Sequence, residues 1–268
     1  MYRLVAVDMD GTLLNRAKEV STENQQAIAE ARQKGVRVVL CSGRPYQGLK
    51  PYLNQLGICG ENEYAIGYNG GMICTAEGQV LSRKVLGTDA CAELEAVADE
   101  LGLAFQIVSD GTNYVTQKHI HPYTVMHSYQ NHMALTVLEK GQYPYKLLVD
   151  KIMLVGEPEE LDRARGKLPP ELFKKYTVTR SCPYYLEFLH MQANKGDAVR
   201  ALADMLALSS EEIVCIGDEE NDLSMLRYAG LGVAMANAAQ RIQTQADLVS
   251  LYSNEEDGVA HVLRTLVL

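Results

Sequence analysis

The sequence predicts an α/β fold in which a doubly wound parallel-sheet core receives an inserted α+β domain. Strand-like and helix-like stretches alternate through the first third of the 268 residues, and the same alternation returns near the C-terminus. Between these two parts the pattern changes to short paired strands. We therefore expect a core domain formed by residues 1–84 and 189–268 and an inserted domain formed by residues 85–188.

The N-terminal alternation begins with LVAV at residues 4–7, an apolar run typical of a strand that is buried on both faces. A helix is predicted next, because Thr22 and Gln25 have capping-box spacing and apolar residues recur on one helical stripe before Gly35. A strand from Val36, a helix over residues 46–56 and a strand from Tyr64 follow in turn. Such alternation is typical of a parallel sheet.

The C-terminal alternation has the same order of elements. Asn194 is a suitable N-cap for a helix whose apolar residues include Val199, Leu202 and Leu206. The pattern then predicts a buried strand from Ile213, a helix to about Tyr228, a strand after Gly230 and a last strand from Asp247. Both ends of the chain are therefore expected to contribute strands to one sheet.

The inserted segment has a different pattern. A helix over residues 88–101 precedes two short strand-like runs, LAFQIV and NYVT, and a segment rich in Tyr and His that is predicted to be helical. A strand in KIMLVG, a charged helix from Pro158 and a hairpin-like segment, YTVTRSCPYYLEFL, complete it. Residues 85–188 are therefore predicted to form an α+β domain.

Composition and charge exclude several classes of protein. Apolar residues make up 47% and charged residues 22% of the chain, as in ordinary folded proteins. The net charge of −9 disfavours a broad basic face, so neither nucleic acid nor an anionic membrane is an expected partner. The strand pattern begins by Leu4, which leaves no room for a signal peptide, and no apolar run is long enough for a membrane span. We expect a cytoplasmic protein, with its oligomeric state left open.

Polar residues that carry chemistry follow the predicted strands of the core. Asp8 and Asp10 follow the first strand, Ser42, Gly43 and Arg44 follow the second, GDEEND at residues 217–222 follows the strand from Ile213, and Lys195 begins the helix before that strand. Ligands of an open parallel sheet bind at the carboxyl ends of its strands. Each signal is weak alone, but all four together at one sheet edge predict a functional site.

The carboxylates among these residues suit a divalent cation. Clustered carboxylates repel each other unless a cation neutralises them, and Mg²⁺ prefers hard oxygen ligands. Asp8, Asp10 and Asp218 are the predicted ligands, with the backbone carbonyl of Asp10 as one way for that residue to contribute. Asp8 lies next to the rigid strand, so it is better placed than Asp10 to attack phosphorus.

The remaining polar groups suit a phosphate. The Ser42 hydroxyl, the Gly43 amide and the Lys195 ammonium are predicted to complement the phosphate oxygens as charge shifts in the transition state. Lys195 also lies near a helix N-terminus, where the helix dipole favours an anion. The four places together therefore predict phosphoryl transfer.

These motifs, DMDGTLL, SGR, NKG around Lys195 and GDEEND, resemble those of the haloacid dehalogenase (HAD) superfamily of phosphohydrolases. The insertion stands between the second and third motifs, which is similar to the C2-type cap of the Cof subfamily. The resemblance covers essentially the whole chain. It implies a Rossmann-like HAD core and a cap domain at residues 85–188 that selects the substrate.

The resemblance also implies roles for individual residues. Asp8 would be the nucleophile and a Mg²⁺ ligand, Asp10 would protonate the leaving oxygen and then activate water, and Asp218 would complete the metal site. The groups implied to hold the phosphate or order the site are Ser42, Gly43, Lys195, Asn221 and the backbone amide of Met9. Asp222 would lie outside the set of direct ligands, and Glu219 is left without a role. Dehalogenases of the superfamily lack the second aspartate, so Asp10 argues for phosphate release.

The predicted function is Mg²⁺-dependent hydrolysis of small phosphorylated metabolites, with sugar phosphates as the expected class, through an aspartyl-phosphate intermediate. A phosphomutase on the same scaffold is an alternative, in which the phosphoryl group passes to a sugar hydroxyl and not to water. A phospho-receiver switch also places acidic residues, a hydroxyl and a lysine at the strand ends of a parallel sheet. Receivers are shorter and lack a large insertion, so length, motif order and the insertion oppose that alternative.

Overall fold

The computed structural model describes residues 1–180 and 182–268 in full and, of residue 181, the backbone alone. The chain divides into two compact units. The first unit contains residues 1–82 and 194–268, and the second contains residues 83–193. None of the helices in the described part of the chain is long and apolar enough to cross a membrane.

The elements are numbered in chain order. The strands are β1 (Leu4–Val7), β2 (Arg37–Cys41), β3 (Tyr64–Gly67), β4 (Met72–Thr75), β5 (Val80–Arg83), β6 (Ala104–Ser109), β7 (Thr112–Val115), β8 (Ala134–Val137), β9 (Lys151–Val155), β10 (Tyr176–Cys182), β11 (Tyr185–His190), β12 (Ile213–Gly217), β13 (Leu231–Ala234) and β14 (Leu248–Val249). The helices are α1 (Thr22–Gln33), α2 (Tyr46–Gln55), α3 (Thr88–Leu101), α4 (Pro122–Gln130), α5 (Pro158–Lys167), α6 (Pro170–Lys175), α7 (Lys195–Met205), α8 (Leu223–Tyr228), α9 (Gln240–Gln243) and α10 (Gly258–Val262). Single 3-10 turns cover Tyr68–Gly70, Ser210–Glu212 and Glu220–Asp222, and a π-helical turn covers Leu263–Val267.

The first unit is built on one eight-stranded sheet with the order β14-β13-β12-β1-β2-β3-β4-β5. The strands from β14 to β3 are parallel, and β4 pairs antiparallel with β3. β1 lies between β2 and β12, so the strand order reverses beside β1. Such a reversal opens a crevice at the carboxyl ends of the strands. The α/β class predicted from the sequence, a doubly wound parallel sheet, is confirmed.

The central strand β1 is buried on both faces, as its continuous apolar run predicts. Leu4 and Ala6 belong to the apolar cluster that contains the buried residues of α7 and α8. Because successive side chains of a strand alternate, Val5 and Val7 point to the opposite face, where α1 packs on β2 and α10 packs on α1. This burial holds the end of β1, and therefore the residue that follows it, in a fixed position.

The second unit is an α+β domain built on a six-stranded sheet with the order β10-β11-β9-β6-β7-β8. Its strand pairs are antiparallel except for the parallel pair of β7 and β8. Apolar residues of α3, α5 and α6 pack on one face of the sheet around Phe105 and Phe188. Lys151 and Glu187, on the neighbouring strands β9 and β11, form a buried ion pair at 2.9 Å. The sequence pattern of short paired strands thus corresponds to one continuous sheet.

Three short strands were not predicted from the sequence, namely β4, β5 and β8. Each is only four residues long, which is too short for alternation to stand out. β4 and β5 extend the first sheet beyond β3, and β8 lies at an edge of the second sheet with most of its residues exposed. β5 and β8 are edge strands, which need no continuous apolar run, so their sequences carry little signal.

Candidate active site

Three buried carboxylates lie at the edge of the first sheet where β1 and β12 end. Asp8 follows β1 and Asp218 follows β12, and these two strands are paired at Val7 and Ile216. Carboxylate oxygens of Asp8, Asp218 and Asp222 all lie within 4.8 Å of one another. The structure therefore brings together Asp8 and Asp218, which were predicted to share a site, and adds Asp222.

Lys195 supplies a positive charge inside this group. It is the first residue of α7 and is 0% exposed. Its Nζ atom lies 2.5 Å from Asp8 Oδ1 and 2.5 Å from Asp222 Oδ1. Burial would lower the pKa of Lys195, but the charges of Asp222 and Asp8 raise this pKa above its ordinary value. The side chain therefore stays an ammonium.

The charges in the group do not balance. When all three carboxyl groups are ionised, the single ammonium leaves two negative charges uncompensated in a buried place. Burial and the charge of Asp222 raise the pKa of Asp8 to about 7, and burial with the charges of Asp8 and Asp222 raises the pKa of Asp218 to about 9. A divalent cation would remove this imbalance, and carboxylate oxygens are ligands of the kind that Mg²⁺ accepts. The donor set therefore fits Mg²⁺.

Asp222 has both of its oxygens engaged by the protein. Its Oδ1 atom accepts from Lys195, and its Oδ2 atom accepts the backbone N–H groups of Asp218 at 2.9 Å and Glu219 at 3.0 Å. Asp222 therefore orients Lys195 and the loop that carries Asp218. The side chains that would hold Mg²⁺ are those of Asp8 and Asp218. The side chain of Glu219, which was left without a role, is 49% exposed and pairs with Arg241 at 3.8 Å.

The side chain of Asp10 has a different set of partners. The Nε and Nη2 atoms of Arg44 donate to its two oxygens at 2.7 Å each, and Lys18 Nζ lies 2.7 Å from its Oδ1 atom. Burial would raise the pKa of Asp10, but the hydrogen bonds and charges of Arg44 and Lys18 hold it well below its usual value. Asp10 is therefore a carboxylate in this arrangement. As a predicted Mg²⁺ ligand it has only its backbone carbonyl to offer.

The loop after β1 brings Gly11 and Thr12 against Asp218. Thr12 Oγ1 donates to Asp218 Oδ1 at 2.6 Å. Gly11 has a φ of +88°, and a Cβ atom built on it would lie no more than 3.0 Å from either oxygen of the Asp218 carboxylate. The absence of a side chain at Gly11 therefore lets the loop hold this carboxylate in place.

Gly11→Ala is expected to lower activity roughly tenfold or more and to lower Tm, because the new methyl group would displace Asp218 and a positive φ disfavours any side chain. Gly35→Ala is the matched control, since Gly35 has a φ of +84° and nothing lies within 4 Å of its added Cβ. The control should cost only about 1–2 kcal/mol of stability and leave activity unchanged. Assays of phosphate release and thermal unfolding compare the two, and an equal loss of activity in both would contradict a specific role for Gly11.

The predicted phosphate-binding residues come to the same sheet edge. Ser42 and Gly43 lie after β2, Met9 lies between Asp8 and Asp10, Lys195 begins α7, and Asn221 lies in the turn after β12. Because β2, β1 and β12 are neighbours in the sheet, their exits surround Asp8. Ser42 is 2% exposed, and its hydroxyl oxygen accepts the backbone N–H of Arg44 at 3.3 Å. Its hydroxyl proton can therefore be donated to a phosphate oxygen.

Several residues that shape this site were given no role from the sequence. They are Thr12, Lys18, Arg44 and Asn69, whose side chain accepts a hydrogen bond from Asn221. Thr12 and Arg44 lie within the DMDGTLL and SGR motifs, so their positions in these motifs could have indicated that they belong to the site. Asn69 stands in the Gly-rich exit of a predicted strand. Lys18 has no signal in the sequence, because its contact depends on how the loop after β1 folds back.

Comparison with known proteins shows the family. A family model described as haloacid dehalogenase-like hydrolase matches residues 5–263. The fold and the family define an enzyme of the phosphoric monoester hydrolase class, as predicted from the sequence. This chain belongs to the haloacid dehalogenase-like hydrolases.

Individual relatives match over nearly the whole chain. "Putative phosphatase YxeH" of Bacillus subtilis is 40% identical over 269 residues, which is 100% of this chain and 99% of that protein. The 5-amino-6-(5-phospho-D-ribitylamino)uracil phosphatase YcsE of Bacillus subtilis is 32% identical over 270 residues, which is 99% of this chain and 96% of that protein. A crystal structure of a haloacid dehalogenase-like hydrolase from Bacteroides thetaiotaomicron has a TM-score of 0.84 and 32% identity, and the match covers 98% of this chain and 99% of that one.

Proposed function

We propose that this protein is a Mg²⁺-dependent phosphatase that hydrolyses small phosphorylated metabolites through an aspartyl phosphate on Asp8. The observation that carries the proposal is the buried group of three carboxyl groups around Lys195, which needs two further positive charges when all three are ionised. A phosphate held beside this group adds further negative charge. A carboxylate can approach phosphorus only if that charge is neutralised, which is the contribution of a divalent cation.

Asp8 is the nucleophile in this proposal. It follows the rigid strand β1, and Lys195 donates to its Oδ1 atom, so the second oxygen is left for other contacts. A bond forms from an Asp8 oxygen to phosphorus as the bond from phosphorus to the leaving oxygen breaks. Water then attacks the aspartyl phosphate, which releases inorganic phosphate and restores the Asp8 carboxylate. When bound at Asp8 and Asp218, Mg²⁺ would neutralise phosphate charge in both steps.

Asp10 is the proton carrier in this proposal. Arg44 and Lys18 keep it ionised, a state that suits the removal of a proton from the attacking water in the second step. Protonation of the leaving oxygen in the first step requires Asp10 to carry a proton and to leave these two partners when substrate binds. The donors proposed for the phosphate oxygens are the Ser42 hydroxyl, the Lys195 ammonium, the side-chain amide of Asn221 and the backbone amides of Met9 and Gly43.

Sugar phosphates are the proposed substrate class. The relative YcsE is named for a substrate that carries a 5-phospho-D-ribityl group, which is a phosphorylated polyhydroxyl chain. The segments YNGG and SCPYYLEFL are also similar to those of the sugar-phosphate phosphatase YidA. The residues of the four motifs are proposed to bind only the phosphoryl group and the cation. We therefore expect residues 85–188 to select the leaving group.

A panel of phosphorylated sugars, nucleotides, cofactors and acids, assayed for phosphate release with and without Mg²⁺, tests the proposed function. We expect release from sugar phosphates that depends on Mg²⁺. No release from any member of the panel would overturn the assignment, and release that is unchanged by chelation would overturn the role of the cation. A bisphosphate intermediate, or dependence on a bisphosphate activator, would identify a phosphomutase instead.

Mg²⁺ is expected to raise the Tm of the protein, and to raise it more at about pH 8 than at about pH 6. The raised pKa values of Asp8, about 7, and Asp218, about 9, mean that the metal-free protein holds protons on both groups at the lower pH. A cation must displace these protons, and fewer remain as the pH rises, so its binding becomes tighter. Thermal unfolding measures the shift, and Asp218→Asn should lose most of it. A shift that is the same at both pH values would contradict this proton release.

A further inference from the structure

The loops after β13 and β14 both contact the loop after β1. The side chain of Asn237, which lies shortly after β13, donates from its Nδ2 atom to the carbonyl oxygen of Gly11 at 2.8 Å. The Nδ2 atom of Asn254 donates to the carbonyl oxygen of Leu14 at 2.8 Å. The backbone N–H of Asn254 also donates to Asn237 Oδ1 at 3.1 Å. The two asparagines are therefore joined to each other and hold both ends of residues 11–14.

The two contacts of the Asn237 side chain fix the direction of its amide. The carbonyl oxygen of Gly11 can only accept a hydrogen bond, and the backbone N–H of Asn254 can only donate one. The amide must therefore direct its nitrogen to Gly11 and its oxygen to Asn254. An ionised aspartate of the same shape would keep the second contact, but it would place an oxygen against the carbonyl oxygen of Gly11. Position 237 therefore needs a group that both donates and accepts.

The peptide between Gly11 and Thr12 is held on both sides. Asn237 binds its carbonyl oxygen, and its N–H, from Thr12, donates to the carbonyl oxygen of Met9 at 3.3 Å. Next to this peptide, Thr12 Oγ1 donates to Asp218 Oδ1 at 2.6 Å. The backbone of Gly11 lies against the same carboxylate. The orientation of this peptide therefore determines where the loop after β1 meets Asp218.

The loop after β13 is also bonded to the loop that carries Asp218. The N–H of Met235 donates to the carbonyl oxygen of Gly217 at 3.0 Å, and β12 and β13 are paired up to this point. Asn237 follows Met235 closely, so a short segment joins the backbone before Asp218 to the loop after β1. This segment sets the spacing between the two loops.

We propose that Asn237 is a positioning residue, which sets the affinity of the site for Mg²⁺ by holding the peptide between Gly11 and Thr12 and, through Thr12, the carboxylate of Asp218. The inference rests on the proposed function, in which Asp218 holds the cation. Asn237 is exposed, and in this proposal it touches neither the cation nor the substrate. Its effect reaches the cation only through the loop after β1.

Asn237→Asp tests the inference, because it keeps the shape of the side chain and the acceptor for Asn254 and loses the donor to Gly11. The measured quantity is the half-saturating concentration, at which Mg²⁺ gives half of its full rise in Tm. We expect this concentration to increase roughly tenfold, as when a group that orients a metal ligand is lost. Charge alone predicts the opposite sign, since an added carboxylate attracts a cation. A lower or unchanged half-saturating concentration would overturn the inference.

Asn54→Asp is the matched control, since Asn54 is exposed on the last turn of α2 and undergoes the same change in charge. Its half-saturating concentration should equal that of wild type, and a rise equal to that of Asn237→Asp would overturn the inference. Asn237→Ala is a second variant in case Asn237→Asp folds poorly, because water can reach the carbonyl oxygen of Gly11 at this exposed position. We expect a smaller rise, roughly threefold, for Asn237→Ala.

A double-mutant cycle with Thr12→Val tests the route through Thr12. Valine has nearly the shape of threonine but no hydroxyl, so Asp218 loses its hydrogen bond to the loop. We expect Asn237→Asp to change the half-saturating concentration of Thr12→Val by less than about twofold. Increases that multiply would overturn the inference.

Phosphate release separates this inference from the proposed function. At saturating Mg²⁺ the kcat of Asn237→Asp should return to within about twofold of wild type, because the nucleophile and the phosphate donors are unchanged. If wild type releases no phosphate from any substrate, the proposed function fails, yet the half-saturating concentrations still decide the role of Asn237. If wild type is active and Asn237→Asp keeps the wild-type half-saturating concentration, the inference fails alone.

Discussion

Asp8→Asn is expected to abolish phosphate release, with a loss on the order of 10⁴-fold or more, while the fold is kept. The amide of asparagine does not attack phosphorus, so no covalent intermediate can form. Stability should not fall, because the substitution removes one of three buried carboxylates that share a single ammonium. Lys195 also keeps Asp222 as its partner. We therefore expect the metal-free variant to have a Tm equal to or above that of wild type.

Phosphate release and thermal unfolding of the metal-free proteins provide the two measurements. Asp204→Asn is the control, since Asp204 is exposed on α7 and the change in charge is the same. This variant should match wild type in both assays. Activity of Asp8→Asn above about a hundredth of that of wild type would exclude Asp8 as the nucleophile.

Lys195→Met is expected to destabilise the protein and to abolish its activity. Methionine has nearly the same shape as lysine, but it leaves Asp8 and Asp222 buried without the ammonium that lies 2.5 Å from each. Loss of one partner of a buried ion pair costs about 3–5 kcal/mol. For a unit of this size that loss corresponds to a fall in Tm of roughly 10 °C.

The destabilisation by Lys195→Met should be larger at about pH 8 than at about pH 5.5. Without the ammonium, the pKa of Asp8, already raised to about 7, rises further. A folded-state pKa above the unfolded value favours the folded state at low pH, and this stabilisation is lost as the pH rises through the folded-state pKa. Lys50→Met is the control, because Lys50 pairs with Glu77 at the surface and its removal should change Tm little at either pH. A pH-independent loss would show that packing, and not charge, explains the effect.

The positions of the principal site residues could be predicted because they depend on backbone topology. Asp8, Ser42 and Asp218 follow apolar runs that are buried strands, and parallel strands place their carboxyl ends at one edge. Lys195 follows Asn194, whose side chain accepts from the N–H of Asp197 as the N-cap pattern predicts. The positions of these four residues follow from the order of strands and helices alone, and the periodicity of the apolar residues predicts that order.

The partners of the side chains could not be predicted in the same way. Nothing in the sequence indicates that Asp10 turns to Arg44 and Lys18, or that both oxygens of Asp222 are occupied within the protein. These contacts depend on the direction of single side chains in irregular loops, where no period repeats. The contact between the side chains of Asn69 and Asn221 was missed for a related reason, since these residues are 152 positions apart in the sequence.

The position of β1 in the sheet has a consequence for the synthesis of the chain. Its two neighbours are β2, which leaves the ribosome soon after it, and β12, which leaves only after the whole of residues 83–193. The second unit can therefore complete its own sheet on the nascent chain while the first still lacks Lys195 and Asp218. A chain that stops before Asp218 lacks two of the three carboxylates of the buried group, so we expect activity only after this last part of the chain has been made.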